Sequence, residues 1–324
     1  MNKLFISQLH NTKQNNIVIL RCYRNAYAQA LLRELVRDYN CVDIAQPNLR
    51  ILAKRDVAAF VQGLKLPVFL ANLQYTPQLL SELVKLPRGC VLASCTQSAL
   101  LEKLAQQVAH VRFLELPIAE TGTQNFVRAL SLWQKPRQCA GEKLWLEIYP
   151  AQRHKFYGEY LREVLQADII ELTQVSDWLK FYRFMEAAAM LLGEEVNYAK
   201  LGRLADITPA TAKNWLKLLL GTGMIYLLEP VRSVKINRPR LYFRDAGLAC
   251  FMLGFKDAQA AARCAQSSCV LQNYLLNCLR DGYINEGSTP SLHFCPKNRQ
   301  SKTIVLRWCS ALNLKVDMTE INKK

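Results

Sequence analysis

The chain has 324 residues, 51% hydrophobic content and a formal net charge of +16. That length suits two or three domains with their own cores, and no apolar run is long enough to expect a membrane span. The basic excess favours acidic partners such as nucleic acid. Eleven cysteines occur, an odd number with no C-x-x-C pair, and most sit in apolar contexts such as Cys90, Cys250 and Cys278. They read as reduced thiols of a cytoplasmic protein. His10, His110, His154 and His293 are scattered, none at ligand spacing to a cysteine, so no metal site is expected. The N-terminus lacks an apolar signal segment, so secretion is not expected.

Ile17 to Leu20 is an aliphatic run suited to a buried parallel strand, and Ala28 to Arg37 follows with helical spacing. A phosphate-binding loop between them would need glycines to wrap the phosphates, then Lys and Ser/Thr. Cys22 and Tyr27 stand where the glycines would be, Ala28 where the lysine would be, and Gln29 in place of the hydroxyl. Cys41 to Ile44, Pro67 to Leu73, Cys90 to Ser94 and Val111 to Leu116 read as further strands. Helical stretches fall at Lys54 to Gln62, Gln74 to Val84 and Leu100 to Val108. Such alternation builds a parallel sheet covered on both faces. The strand at Pro67 ends in Ala71-Asn72, where a nucleotide hydrolase would place carboxylates for magnesium.

The stretch 121–141 is polar and marks the end of the sheet domain. Trp178 to Leu192 reads as a supporting helix. Tyr198 to Ala205 is a helix with apolar Leu201, Leu204 and Ala205. Asp206-Ile207 makes a turn, and Thr208 caps a second helix opening at Pro209. On that helix Ala212, Trp215, Leu216, Leu219 and Leu220 share one face, with Thr211, Lys213, Asn214 and Lys217 on the other. Leu218 falls on the polar face, as a packing surface would have it. Met224 to Leu228 and Leu241 to Phe243 read as a hairpin around the basic loop Val231 to Arg240, giving the winged helix-turn-helix order. From Lys200 to Arg244 nine basic residues face two acidic ones, Asp206 and Glu229. A nucleic-acid backbone would be attracted there. The candidate contacts are Thr211, Lys213, Asn214 and Lys217 on the helix, and Arg232, Lys235, Arg238 and Arg240 on the loop.

In order and spacing, the stretches from Ile17, Pro67, Cys90 and Val111, with the hairpin region ending RPRLYFRDAGLACFMLG, resemble prokaryotic AAA-class ATP-binding proteins carrying a C-terminal domain of unknown function. The resemblance spans roughly residues 15 to 280. It implies an α/β architecture: a P-loop NTPase-like parallel sheet over 1–135, a helical linker and winged helix over 136–247, and a small restriction-endonuclease-like α/β domain over 248–324. Where those relatives have Lys-Thr this chain has Ala28 and Gln29, and where they have Asp-Glu it has Ala71 and Asn72. Their nuclease-like glutamate matches Gln272, and Lys302 to Leu306 offers no carboxylate. Glu286, Asp317 and Glu320 lie elsewhere. Pro67, Gln74, Pro77, Tyr242, Asp245 and Gly247 match scaffold positions. The expectation is a non-enzymatic, cofactor-free relative binding DNA, with a homo-oligomer or an active AAA paralogue as further partners. The alternatives are a scaffold subunit, or an ATP-binding protein with an unrecognised site.

Overall fold

The structure is a computed structural model. It describes residues 17–22, 32–96, 99–108, 110–115, 157–159, 161–162, 177–230, 238–255, 258–285 and 292–294, and the backbone of 305–307 and 315–317. The fold is mixed α/β, and the chain divides into two compact units, one built on residues 1–120 and one on most of 121–324.

The first unit holds five parallel strands: β1 (Ile17–Arg21), β2 (Asn40–Asp43), β3 (Val68–Ala71), β4 (Val91–Cys95) and β5 (Val111–Glu115), in the order β2-β3-β4-β1-β5. The central strands are aliphatic because both their faces are covered: Ile17, Ile19 and Leu20 of β1, Val68 and Leu70 of β3 and Ala93 of β4 are fully buried. The edge strands show their polar residues, Asn40 and Arg112 among them. Two helices, α1 (Pro47–Arg55) and α2 (Val57–Gln62), replace the single one expected to end at Gln62. Asp56 divides them, its extended backbone stopping the first and its carboxylate accepting the Ala59 amide to cap the second. The strand expected to run to Leu73 stops at Ala71. Asn72 turns the chain in a left-handed conformation (φ 61°), which asparagine tolerates better than most residues. Two 3-10 turns, Leu73–Tyr75 and Pro77–Leu79 with Pro77 at its first position, lead to α3 (Leu80–Leu83), and α4 (Ala99–Ala105) follows β4.

In the second unit α5 (Trp178–Met190) precedes α6 (Tyr198–Ala205) and α7 (Pro209–Gly221). The α6–α7 turn is tight: Asp206 adopts φ 57° and the Ile207 amide donates to the Gly202 carbonyl (2.9 Å). A Cβ at Gly202 would lie 2.6 Å from the Ile207 carbonyl oxygen, so only glycine fits. Thr208 accepts the Thr211 amide (3.1 Å), the expected cap. Strands β6 (Ile225–Pro230) and β7 (Arg240–Phe243) form an antiparallel hairpin, and Glu195 bridges to Arg240. Helices α8 (Ala246–Met252), α9 (Ala258–Arg263) and α10 (Ser267–Asn285) follow. Strand β8 (His293–Phe294) then lies parallel to β6, and β9 (Val305–Arg307) pairs with β10 (Lys315–Asp317).

Residues on either side of the expected boundary at 247 bury their side chains in one core: Phe181, Leu201, Leu216 and Tyr242 belong to the same cluster as Leu248, Val270 and Leu276. Two side chains depart from the helical projection. Leu204, expected on the apolar face of α6, is 45% exposed, and Leu218, expected among the polar residues of α7, packs against the unit's own core.

Candidate functional site

The order β2-β3-β4-β1-β5 makes the C-terminal end of β1 the topological switch point. The connection from β1 runs to the far edge strand, and those after β2, β3 and β4 step back the other way. Open parallel sheets place ligands at such a point. Cys22 stands there, its amide donating to the Cys95 carbonyl (2.9 Å). Burial pushes the Cys22 thiol far above its ordinary range and raises Cys95 to about 12, so neither is a thiolate near neutral pH. Tyr27, Ala28 and Gln29 lie outside the described residues. Arg21, at the end of β1, pairs with Glu102 (2.6 Å), lies over the Phe113 ring (5.4 Å) and sits level with Glu115 of β5.

Beside it, the ends of β2, β3 and β4 are joined by a polar network. Asp43 accepts from the side chain of Asn72 (2.9 Å) and from the Ala45 amide (2.9 Å). Gln74 donates to the side-chain Oδ1 of Asn72 (3.3 Å) and to the Thr96 hydroxyl (3.0 Å), and accepts the Thr96 amide (3.4 Å). Ser94 accepts the Asn72 amide (3.3 Å). This network holds one carboxylate, whose bonds are to amides, and Ala71 beside Asn72 offers no polar side chain. Among the described residues no group of three His, Cys, Asp or Glu side chains is placed to hold a metal ion.

In the second unit, α7 presents Lys213, Asn214 and Lys217 to solvent, with Thr211 half-buried and sharing a hydrogen bond with the Thr208 hydroxyl (2.8 Å). The opposite face is fixed by Ala212, Leu216 and Leu219 in the core, and by Trp215, whose ring meets Phe181 and Phe184 edge-on. Arg238 is exposed. Arg240 is half-buried with its guanidinium over the Phe294 ring (4.6 Å), an environment that sets it apart from a freely solvated loop cation. Arg232 and Lys235 lie outside the described residues. Two other members of the basic segment are engaged within the chain: Lys200 pairs with Glu194 (2.6 Å), and Arg244 with Asp281 (3.2 Å) in the interior. Arg203, Lys213, Lys217 and Arg238 remain as exposed cations among the described residues.

Helix α10 carries a group that residue-by-residue reading missed. Asn273 exchanges two hydrogen bonds with the Phe243 backbone (2.7 and 2.8 Å), Asn277 donates to the Phe243 and Arg244 carbonyls (3.0 and 2.8 Å), and Asp281 takes the Arg244 guanidinium. The spacing of four residues between these polar side chains, which places them on one face of the helix, was the available signal. Gln272, at the expected nuclease-glutamate position, accepts from the Tyr242 hydroxyl (3.3 Å). Asp245 caps α8 by accepting from the Gly247 amide (2.8 Å) and also takes the Tyr157 hydroxyl (2.6 Å). Glu286 and Glu320 lie outside the described residues, and Asp317 is described only as part of β10. No helix among the described residues is long and apolar enough to cross a membrane.

No curated protein matches the chain. A family model describing a domain of unknown function (DUF8612) matches residues 146–259, a span that runs from before α5 through α8 and carries α7 with its exposed basic face.

Proposed function

We propose that this chain is a catalytically inactive AAA-like protein that binds DNA through a winged helix comprising α6 to β7, supported by α5. The observation that carries the reading is the outer face of α7, where Lys213, Asn214 and Lys217 are exposed together while the opposite face is locked into the core. A helix anchored in this way can present side chains to a groove without reorganising. The order of α5, the Glu195 bridge, α6, a tight turn, α7 and the β6–β7 hairpin supports the winged-helix assignment. Leu218, which would have argued for a docking surface, contacts the unit's own interior.

Loss of catalysis is supported at the sheet, where the rim beside the switch point is built of amides and hydroxyls bonded to one another, with Asn72 at the position of an acidic ligand. DNA is the expected partner, in the cytoplasm, with no cofactor. The reading is tested by fluorescence anisotropy with a random DNA duplex at low and at physiological salt. Salt-sensitive binding is expected, and no binding at low salt would falsify it. Calorimetric titration with magnesium-ATP is expected to give no saturable heat. A saturable isotherm would instead identify an ATP-binding protein with a site of another kind.

A further inference from the structure

Helix α5 buries Phe181, Phe184, Met185 and Ala188 on one side. At 100° per residue, Leu179, Arg183, Glu186 and Met190 fall within an arc of about 60° on the opposite side. Leu179 is 59% exposed and Met190 50%, with Trp178 flanking them at 41%. Arg183 is exposed and Glu186 half-exposed, and neither has an ion-pair partner among the described residues. The intervals of four, three and four residues are those of a helix-pairing seam.

We propose that this face of α5 is a homodimer interface, with two copies of the helix packed antiparallel about a two-fold axis passing between residues 184 and 185. The charges select the orientation. A parallel pair would set Arg183 against Arg183 and Glu186 against Glu186 of the second copy, whereas an antiparallel pair sets each Arg183 against the other copy's Glu186. The same axis brings Leu179 of each copy onto Met190 of the other, so one symmetry operation satisfies both the charged and the apolar pairs. A two-fold interface needs this self-complementarity, which a surface facing an unrelated protein does not. With 13 residues, α5 is roughly 20 Å long, and an interface of that reach stands at the small end of specific contacts. The dimer is therefore expected to be reversible and concentration-dependent. This inference does not rest on the DNA-binding reading.

The experiment is sedimentation analysis of the full chain across a concentration series, without nucleic acid. Wild type is expected to move from monomer to dimer. Arg183→Glu and Glu186→Arg are each expected to weaken the dimer about tenfold or more, since each creates facing like charges. An equimolar mixture of the two variants is expected to recover a heterodimer, because every facing pair is then complementary. Misfolding could not produce that recovery, and circular dichroism of each variant guards the singles. Leu179→Lys tests the apolar pair and is expected to leave a monomer. A wild type that stays monomeric throughout, as it would if this face were covered within its own chain, overturns the proposal. So does a dimer unmoved by Leu179→Lys and Arg183→Glu, or a mixture that fails to recover association.

Discussion

At the rim of the parallel sheet the side chains of Asp43, Asn72, Gln74 and Thr96 are bonded to one another, whereas on α7 the side chains of Lys213, Asn214 and Lys217 are exposed. Both regions are polar, and the difference lies in where the polarity is directed. A nucleotide site must keep donors, acceptors and charges unsatisfied until the ligand arrives, and the rim has closed its own. A surface that tracks phosphates needs cations held by their backbones and otherwise free, as they are on α7. The second unit contains both situations, since Arg244 is bound to Asp281 in its interior while Lys213 and Lys217, only tens of residues away in sequence, face water. Counting basic residues along the segment therefore overstates its external charge.

The largest effect is expected where that distinction is broken inside the core. Arg244 and Asp281 are 2% and 3% exposed, so Asp281→Ala leaves a buried guanidinium without its carboxylate and should cost about 3–5 kcal/mol of stability. The double change Arg244→Met with Asp281→Leu removes both charges and should cost much less. Tryptophan fluorescence during urea unfolding is a suitable readout, because all five tryptophans lie beyond residue 120 and report on the second unit. A single variant as stable as wild type would show that the pair adds nothing to the hold that Asn273 and Asn277 already give this segment on α10.

A smaller effect is expected at the rim. Asn72→Asp replaces the amide donor that reaches Asp43 at 2.9 Å with a second carboxylate. The loss of that bond and the new repulsion should cost about 1–3 kcal/mol. Thermal unfolding followed by circular dichroism measures it, and a stabilised variant would show that the rim tolerates an acid pair.

The rim was only partly legible in the sequence. The aliphatic runs located β1, β3 and β4 because burial on both faces demands such runs, whereas the edge strands β2 and β5 showed as shorter apolar stretches interrupted by polar residues. That Ala71 and Asn72 carry no carboxylate was equally plain. What remained hidden was the closure of the network, since Asn72 meets Asp43 across 29 residues and Gln74 meets Thr96 across 22, distances at which no local pattern operates. The same limit explains Leu204 and Leu218. Helical periodicity tells which residues share a face, whereas the neighbour covering that face depends on distant packing. On α7 the two levels agree for Lys213, Asn214 and Lys217, since the core side is wide and the helix has one solvent side.

Alkaline titration sharpens the contrast between buried and exposed thiols. Cys95 is raised by burial from an ordinary value of 9.0 to about 12, and Cys22 and Cys250 are raised further. A thiol whose folded value is raised stabilises the fold fully below its unfolded value, and that contribution is lost as pH climbs through the interval up to the folded value. Stability should therefore fall between about pH 9 and pH 12. At neutral pH, alkylation followed by peptide mapping should label exposed Cys41 before Cys22, Cys95 and Cys250. Equal labelling rates in the folded protein would contradict the burial of Cys95 and Cys250 and the partial burial of Cys22.

The smallest effects, and the most informative for function, concern single cations on α7. If Lys213 and Lys217 each neutralise one phosphate, replacing either with alanine should lower the slope of log affinity against log salt by about 1, equally on any duplex. Arg238→Ala should behave in the same way. Arg240→Ala should combine any binding loss with a loss of stability, because its guanidinium lies over Phe294. Asn214 carries no charge and should leave the salt slope unchanged. If α7 enters a major groove, Asn214→Ala should cost roughly 1–3 kcal/mol at a preferred sequence and little on random DNA. The slope and the sequence dependence thus separate two contributions that a single affinity would merge. Unchanged slopes for both lysine variants, with binding intact, would place the nucleic-acid contact on a surface other than α7.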